Sequence, residues 1–192
     1  MIKLIWAQTS DGIMGVDNNL PWKHIPQDMK FFKEMTCEEV VIMGRKTWDS
    51  LPDQYKPLPG RVNVIISRSH EFIKETYEKY KTENNKPKIL MNINNLVSLY
   101  QRNKEVDIWC MGGKEIYNQL IDYASEIYVT KIYKKNEDYF LKGKDIVFSP
   151  EVPDEFEPFS GVSKQISFKF NEKYIFDDYD LEFMAFRKVS ND

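Results

Sequence analysis

From Ile2 to Thr9, apolar side chains fall on both parities of the chain, the pattern of a strand covered on both of its faces. Such a strand needs one layer above it and another below. The next hundred residues supply those layers. After turn signals at Asp11-Gly12 and Asp17-Asn18-Asn19, Pro26 opens a helical pattern running to about Met35, at a position where its missing N–H costs nothing. Val40 to Met43 reads as a compact strand stopped by Gly44, followed by a short helical piece halted at Pro52. Arg61 to Ile66, Lys88 to Met91 and Asp107 to Met111 read as further strands, with helices over Ile93 to Asn103 and Glu115 to Tyr123. Glu71 to Lys86 fits either a surface helix or a loop.

Later the texture changes. Glu126 to Tyr133 reads as a strand, Lys134 to Pro158 is charged and proline-bearing, and Ser163 to Phe170 and Tyr179 to Arg187 are strand-like runs separated by turn residues. Alternation early and hairpin-like strands late predict an α/β fold. Its central, mostly parallel sheet is flanked by helices and carries an antiparallel C-terminal strand pair. A single domain over residues 1–192 is expected.

Charge and cysteine content narrow the function classes. Twenty-seven basic against thirty acidic side chains leave a net charge of −3, so no global positive field favours nucleic acid. Cys37 and Cys110 stand far apart in no metal-ligand spacing, so neither a disulfide framework nor a metal site is expected. No run approaches the roughly 18 apolar residues of a membrane span, and the N-terminal residues show no leader pattern. A cytoplasmic, monomeric protein is expected.

One carboxylate breaks the pattern. On a wheel at about 100° per residue, Asp28 falls inside the arc of Phe31, Phe32 and Met35, while Gln27, Lys30, Lys33 and Glu34 take the other side. Asp28 could satisfy the free N–H groups and dipole of the first helical turn. Equally, a carboxylate on an apolar face needs a hydrogen-bonding or cationic partner, and a ligand with an amidine-like N–H pair would serve.

Two strand-to-helix turns suit phosphate. Gly44-Arg45-Lys46-Thr47 and Gly112-Gly113-Lys114 each follow a strand and open a helix, where backbone N–H groups and cations converge. Neither fits a GxGxxG or GxxxxGK[ST] motif. Ser67 and Arg68 end a third strand, on the sheet edge where open α/β sheets bind ligands. None of these motifs contains an acidic residue. A phosphate-rich dinucleotide is the natural expectation.

The sequence resembles the dihydrofolate reductase family along nearly its whole length. Gly15-Val16-Asp17-Asn18-Asn19-Leu20-Pro21-Trp22, with Pro26-Gln27-Asp28-Met29 and Phe32, matches the family's G-x-x-x-x-L-P-W loop and acidic helix. Val41 to Leu51 matches V-x-M-G-R-x-T-[WY]-x-S-[IL], and Leu58-Pro59-Gly60-Arg61 matches its continuation. Ile65-Ile66-Ser67-Arg68, Met111-Gly112-Gly113 with Ile116-Tyr117, and Val129-Thr130-Lys131-Ile132 match the later blocks in order and rough spacing. Three departures accompany the match. His24-Ile25 is one residue longer than the shortest members, Asp53 to Lys56 lengthens a loop, and Trp6 stands where a small or aliphatic residue is usual, which would reshape the pocket wall.

The resemblance implies NADPH-dependent reduction of 7,8-dihydrofolate to tetrahydrofolate, with hydride to pteridine C6 and a proton to N5. It implies that Asp28 accepts the pteridine 2-amino and ring N–H groups, that Thr130 fixes that carboxylate, and that water gated by Leu20 and ordered near Trp22 protonates N5. Ile5, Met29, Phe32, Leu51, Leu58, Met111 and Tyr117 would wall the substrate, and Arg61 would pair with its glutamate α-carboxylate. For the cofactor it implies Ala7, Met14 and Gly15 at the nicotinamide. Gly44, Arg45, Lys46, Thr47, Gly112, Gly113, Lys114, Glu115, Ile116 and Tyr117 would lie along the pyrophosphate, and Arg45, Ser67 and Arg68 at a 2′-phosphate. It also implies a cis Gly112–Gly113 peptide. Two other readings remain: a reductase of another heterocycle, of the pyrimidine reductase type, and a catalytically silent nucleotide-binding protein.

Overall fold

A computed structural model describes residues 1–102, 106–135, 143–161 and 165–189. Its elements in chain order are strands β1 (Ile2–Thr9) and β2 (Ile13–Val16), helix α1 (Pro26–Thr36), β3 (Val40–Gly44), α2 (Arg45–Ser50), β4 (Val62–Ile66), α3 (His70–Tyr80), β5 (Lys88–Leu90), α4 (Ile93–Arg102), β6 (Ile108–Cys110), α5 (Lys114–Leu120), β7 (Glu126–Lys134), β8 (Ile146–Phe148), β9 (Phe156–Pro158), β10 (Glu172–Ile175) and β11 (Tyr179–Lys188). The α/β class, with parallel strands centrally and antiparallel strands at the C-terminal side, is as the sequence predicts.

The chain divides into two compact units. The first comprises residues 1–3 and 36–123. Its strands run in the order β6-β3-β4-β5, all parallel, with Val41 opposite both Asn63 and Trp109. Strands in this position are buried on both faces, which is why Val41, Ile42, Met43 and Ile65 are fully buried and why β3 reads as an unbroken apolar run. Helix α3 settles the ambiguity at Glu71 to Lys86: Ser69 caps it by accepting the Phe72 N–H at 3.3 Å.

The second unit joins Leu4–Met35 to Ala124–Asp192. Here β1 continues beside β7, and the order is β10-β11-β7-β1, with β9 also paired to β11. The β7–β11 ladder is antiparallel, and Phe183 stands opposite Thr130. Phe31 of α1 packs on Phe183 with ring centroids 4.6 Å apart, and on Phe170 at 6.0 Å.

One expectation changes, and two further features emerge. The run from Ser163 to Phe170 is no strand over residues 165–170, and 162–164 lie outside the described residues. The alternation of Phe168 and Phe170 serves the aromatic cluster instead: Phe168 packs on Phe183 at 4.5 Å. Backbone pairing is replaced by side-chain pairing there, because the Ser167 N–H and hydroxyl donate to the Glu34 carboxylate at 2.9 and 2.6 Å. The edge strand begins only at Glu172, after Asn171 takes φ of 59°.

Secondly, β2 pairs antiparallel with β8 across more than a hundred residues, Gly15 facing Val147. Within the charged stretch Lys134 to Pro158, residues 136–142 lie outside the described residues, while 146–148 and 156–158 form β8 and β9. Thirdly, Trp6 lies on the opposite face of β1 from Ile5. Strand alternation sets it on the face of Gln8, whose Oε1 accepts the indole N–H at 2.7 Å.

Candidate active site

Asp28 lies where the helical wheel puts it, turned inward with Phe31 and Met35 and only 5% exposed. Burial pushes its carboxyl up from 3.8 to about 6, and a hydrogen bond from Thr130 opposes the rise. Thr130 is itself fully buried on β7, on the parity shared by Tyr128 and Ile132. A β-branched side chain suits that strand, and its hydroxyl supplies a hydrogen bond to the carboxyl.

Trp22 is also in this unit. It is buried, and its Nε1 has no hydrogen-bond partner among the described residues. A buried indole N–H without an acceptor is uncommon. Ile5 is buried, Ala7, Met14, Gly15 and Phe32 are half-buried, Met29 is exposed, and Leu20 is 53% exposed.

The loop that carries Leu20 turns tightly. Asp17 and Asn18 take φ of 50° and 61°, and Val16 and Asn19 exchange backbone hydrogen bonds at 2.8 and 2.9 Å. Asp17 is clasped from outside the loop: Lys144 Nζ reaches its Oδ2 at 2.6 Å and the Asp145 N–H its Oδ1 at 3.0 Å. Those hydrogen bonds lower its pKa.

The remaining expected residues lie in the first unit. Arg61 is 8% exposed. Its Nε donates to Pro59 O at 3.0 Å and its Nη1 to Thr36 Oγ1 at 3.2 Å. Asn63, missed by sequence reasoning, builds this corner. It is buried on β4, accepts the Leu58 N–H at 2.9 Å, and donates to Leu58 O and Arg61 O, each at 3.0 Å. A lone amide inside the apolar run Val62 to Ile66 was the available signal. Leu58 is buried, while Leu51 and Met111 are half-buried.

The two glycine turns meet on neighbouring strands. Gly44 and Gly113 precede α2 and α5, and neither helix start has a side-chain cap, so their first N–H groups remain available to an anion. The Gly44 N–H donates to Gly112 O at 2.7 Å. A Cβ on Gly44 would come within 3.2 Å of Ile116, one on Gly113 within 3.4 Å of Thr47 Oγ1, and one on Gly112, at φ of 110°, within 3.1 Å of Tyr117. The Gly112–Gly113 peptide is cis, as expected. Beneath the turn, burial pushes the Tyr117 phenol well above its ordinary range and the Cys110 thiol up to about 12, so both stay neutral.

At the third strand end Ser67 is buried, accepting the Ser69 N–H at 3.2 Å, and Arg68 is exposed. Lys46, Lys114 and Glu115 are exposed, Thr47 is half-buried and Ile116 buried. Arg45 has an acidic neighbour just beyond its motif. Its Nε lies 3.7 Å from Asp49, one helical turn on, an exposed pair of small energetic weight.

A family model described as dihydrofolate reductase matches residues 1–181. The chain belongs to the dihydrofolate reductase family. Three dihydrofolate reductases illustrate the likeness. One from Mycobacterium leprae is 35% identical over 154 residues, 80% of this chain and 83% of the relative. One from Neisseria gonorrhoeae is 37% identical over 151 residues, 79% and 80% respectively. One from Saccharomyces cerevisiae is 34% identical over 163 residues, 76% and 75%. Seen as a dihydrofolate reductase, the chain has its acidic helix and Leu-Pro-Trp loop within one unit and its glycine turns and Arg61 within the other. No described helix is long and apolar enough to cross a membrane.

Proposed function

We propose that this chain reduces 7,8-dihydrofolate to tetrahydrofolate with NADPH. The observation that carries the reading is Asp28: a carboxyl buried on an apolar helix face, bonded to Thr130, in the same unit as a buried indole N–H that has no acceptor among the described residues. Asp28 accepts the 2-amino and ring N–H pair of the pteridine, a charge-assisted arrangement worth roughly twice a neutral pair. It acts electrostatically, drawing positive charge toward the pterin and raising the basicity of N5, and water admitted past Leu20 near Trp22 delivers the proton.

Ile5, Met29, Phe32, Leu51, Leu58, Met111 and Tyr117 wall the substrate. Arg61 binds the glutamate α-carboxylate through its guanidinium fork. A dinucleotide pyrophosphate would lie at the glycine turns, where neither helix start has a side-chain cap. Gly44 to Thr47 and Gly112 to Tyr117 hold it there, Ala7, Met14 and Gly15 border the nicotinamide, and Arg45, Ser67 and Arg68 bind the 2′-phosphate. The bound nicotinamide supplies a hydride to C6. Purified protein should oxidise NADPH only when dihydrofolate is added; oxidation independent of dihydrofolate, or none with it, overturns the reading.

A further inference from the structure

Helix α1 begins at Pro26. Pro26 has no N–H, Ile25 offers no side-chain acceptor, and the first turn is closed by the Met29 N–H reaching Ile25 O at 3.2 Å. An aspartate in such a turn is drawn to its own helix's N–H groups and dipole. Asp28 instead accepts a hydrogen bond from Thr130 on β7, and the first turn has a second tie to the sheet.

Gln27 supplies that tie. Although it belongs to the polar side of the wheel it is only half-buried rather than exposed, and its Oε1 accepts the hydroxyl of Tyr179 at 2.7 Å. Consecutive helical residues point about 100° apart, so the two side chains reach neighbouring strands: Gln27 to β11 and Asp28 to β7. The anchors are spaced along the ladder, Tyr179 opposite Lys134 and Thr130 opposite Phe183, so together they resist both rotation and tilt. Tyr179 is itself steadied by Phe176, whose ring lies 5.2 Å away and whose N–H donates to Tyr179 O at 3.0 Å.

We propose that Tyr179 is a positioning residue for the reaction: through Gln27 it fixes the first turn of α1 and so keeps the Asp28 carboxyl on Thr130. The inference rests on the reading of Asp28 as the catalytic carboxylate. Charged groups on the packed elements are engaged elsewhere. Lys30 lies 3.7 Å from Glu34, Glu182 accepts the Tyr133 hydroxyl at 2.7 Å, and Asp180 meets Lys135 and Lys173 at 3.2 and 3.4 Å. Lys131 sits over the Tyr133 ring at 5.4 Å, and Asp178 acts on Tyr179 rather than on Asp28. The environment of Asp28 is therefore set by burial and by Thr130, both of which depend on how the turn is held.

The test uses Tyr179→Phe, which keeps the ring against Phe176, Gln27→Met, which keeps the length but removes the acceptor, and the double variant. The Asp28 titration is followed by carbon-13 NMR of the aspartate carboxyls, assigned with Asp28→Asn, alongside kcat and KM for dihydrofolate. Each single variant should move the Asp28 midpoint further above the ordinary carboxylate value by about half a unit or more, as the Thr130 hydrogen bond that lowers it is weakened. Each should also lower kcat/KM roughly three- to tenfold, and the double variant should be no worse than either single one. An unchanged midpoint with only a lower melting temperature, or effects that add in the double variant, overturns the proposal. Should the unmodified protein fail to reduce dihydrofolate, the catalytic reading falls, while the NMR midpoint still decides whether Tyr179 holds the turn.

Discussion

Thr130 hydrogen-bonds the carboxyl of Asp28 although the two are separated by about a hundred residues of chain. The hydroxyl stabilises the charged form, but burial wins, and the carboxyl is left at about 6. A site that holds an ionisable group this far from its solution value forgoes stability in the absence of ligand, and that cost can be measured.

For Asp28→Asn the expectation comes from linkage. The folded pKa of about 6 lies above the ordinary 3.8, so the folded state binds the proton more tightly. Its stability relative to the charged state is full below pH 4 and is lost as pH rises through about 6. The unmodified protein should therefore lose about 1–3 kcal/mol across that window. The Asn variant should not, and should be the more stable protein at neutral pH by urea titration. Its reductase rate should fall steeply at neutral pH and recover in part as solution acidity replaces the missing assistance to N5.

Arg61→Leu should raise KM for dihydrofolate roughly 30-fold or more while changing kcat much less, because it removes a charge-assisted contact made in ground and transition states alike. A pterin lacking the glutamate should barely register the change. Equal losses with both substrates would remove Arg61 from the tail site.

NADPH should be preferred strongly over NADH, and the preference should weaken with salt. Arg68→Ala should lower kcat/KM for NADPH roughly tenfold or more. Arg45→Ala should do less, since Asp49 already shares that guanidinium. Comparable rates with the two cofactors in the unmodified protein would contradict the 2′-phosphate assignment.

Asn63→Ala should destabilise the protein by about 3 kcal/mol or more, since it strands three buried backbone groups at Leu58 and Arg61. Thermal unfolding gives the first number. A crystal structure of the variant should show the Leu58 to Arg61 corner displaced; an unmoved corner with unchanged melting would mean water satisfies those groups.

The parts legible in the sequence were those with a local cause. The strand β3 announces itself because burial on both faces demands an unbroken apolar run, and Asp28 stands out because helical spacing leaves one polar residue among Phe31, Phe32 and Met35. What escaped notice depends on partners distant in the chain. The strands β2 and β8 are too short to have a period and exist only through each other. Phe168 and Phe170 alternate as strand residues do, yet the alternation serves rings packed on Phe31 and Phe183. Gln27 and Glu34 read as solvated helix polars, and no local rule could have foreseen Tyr179 or Ser167 as their partners.

The make-up of the second unit bears on how the chain is synthesised. Its members, Leu4–Met35 and Ala124–Asp192, flank the first unit in sequence. A ribosome therefore releases the segment bearing Asp28 long before β7 and β11 emerge to receive it. The first unit, whose strands and helices are contiguous from Thr36 to Tyr123, has its parts available earlier. Until translation passes Phe183, the face of Phe31 and Met35 stays uncovered by the residues that bury it. The growing chain then offers the helix that carries Asp28 to chaperones and proteases before its partners in the second unit have been made.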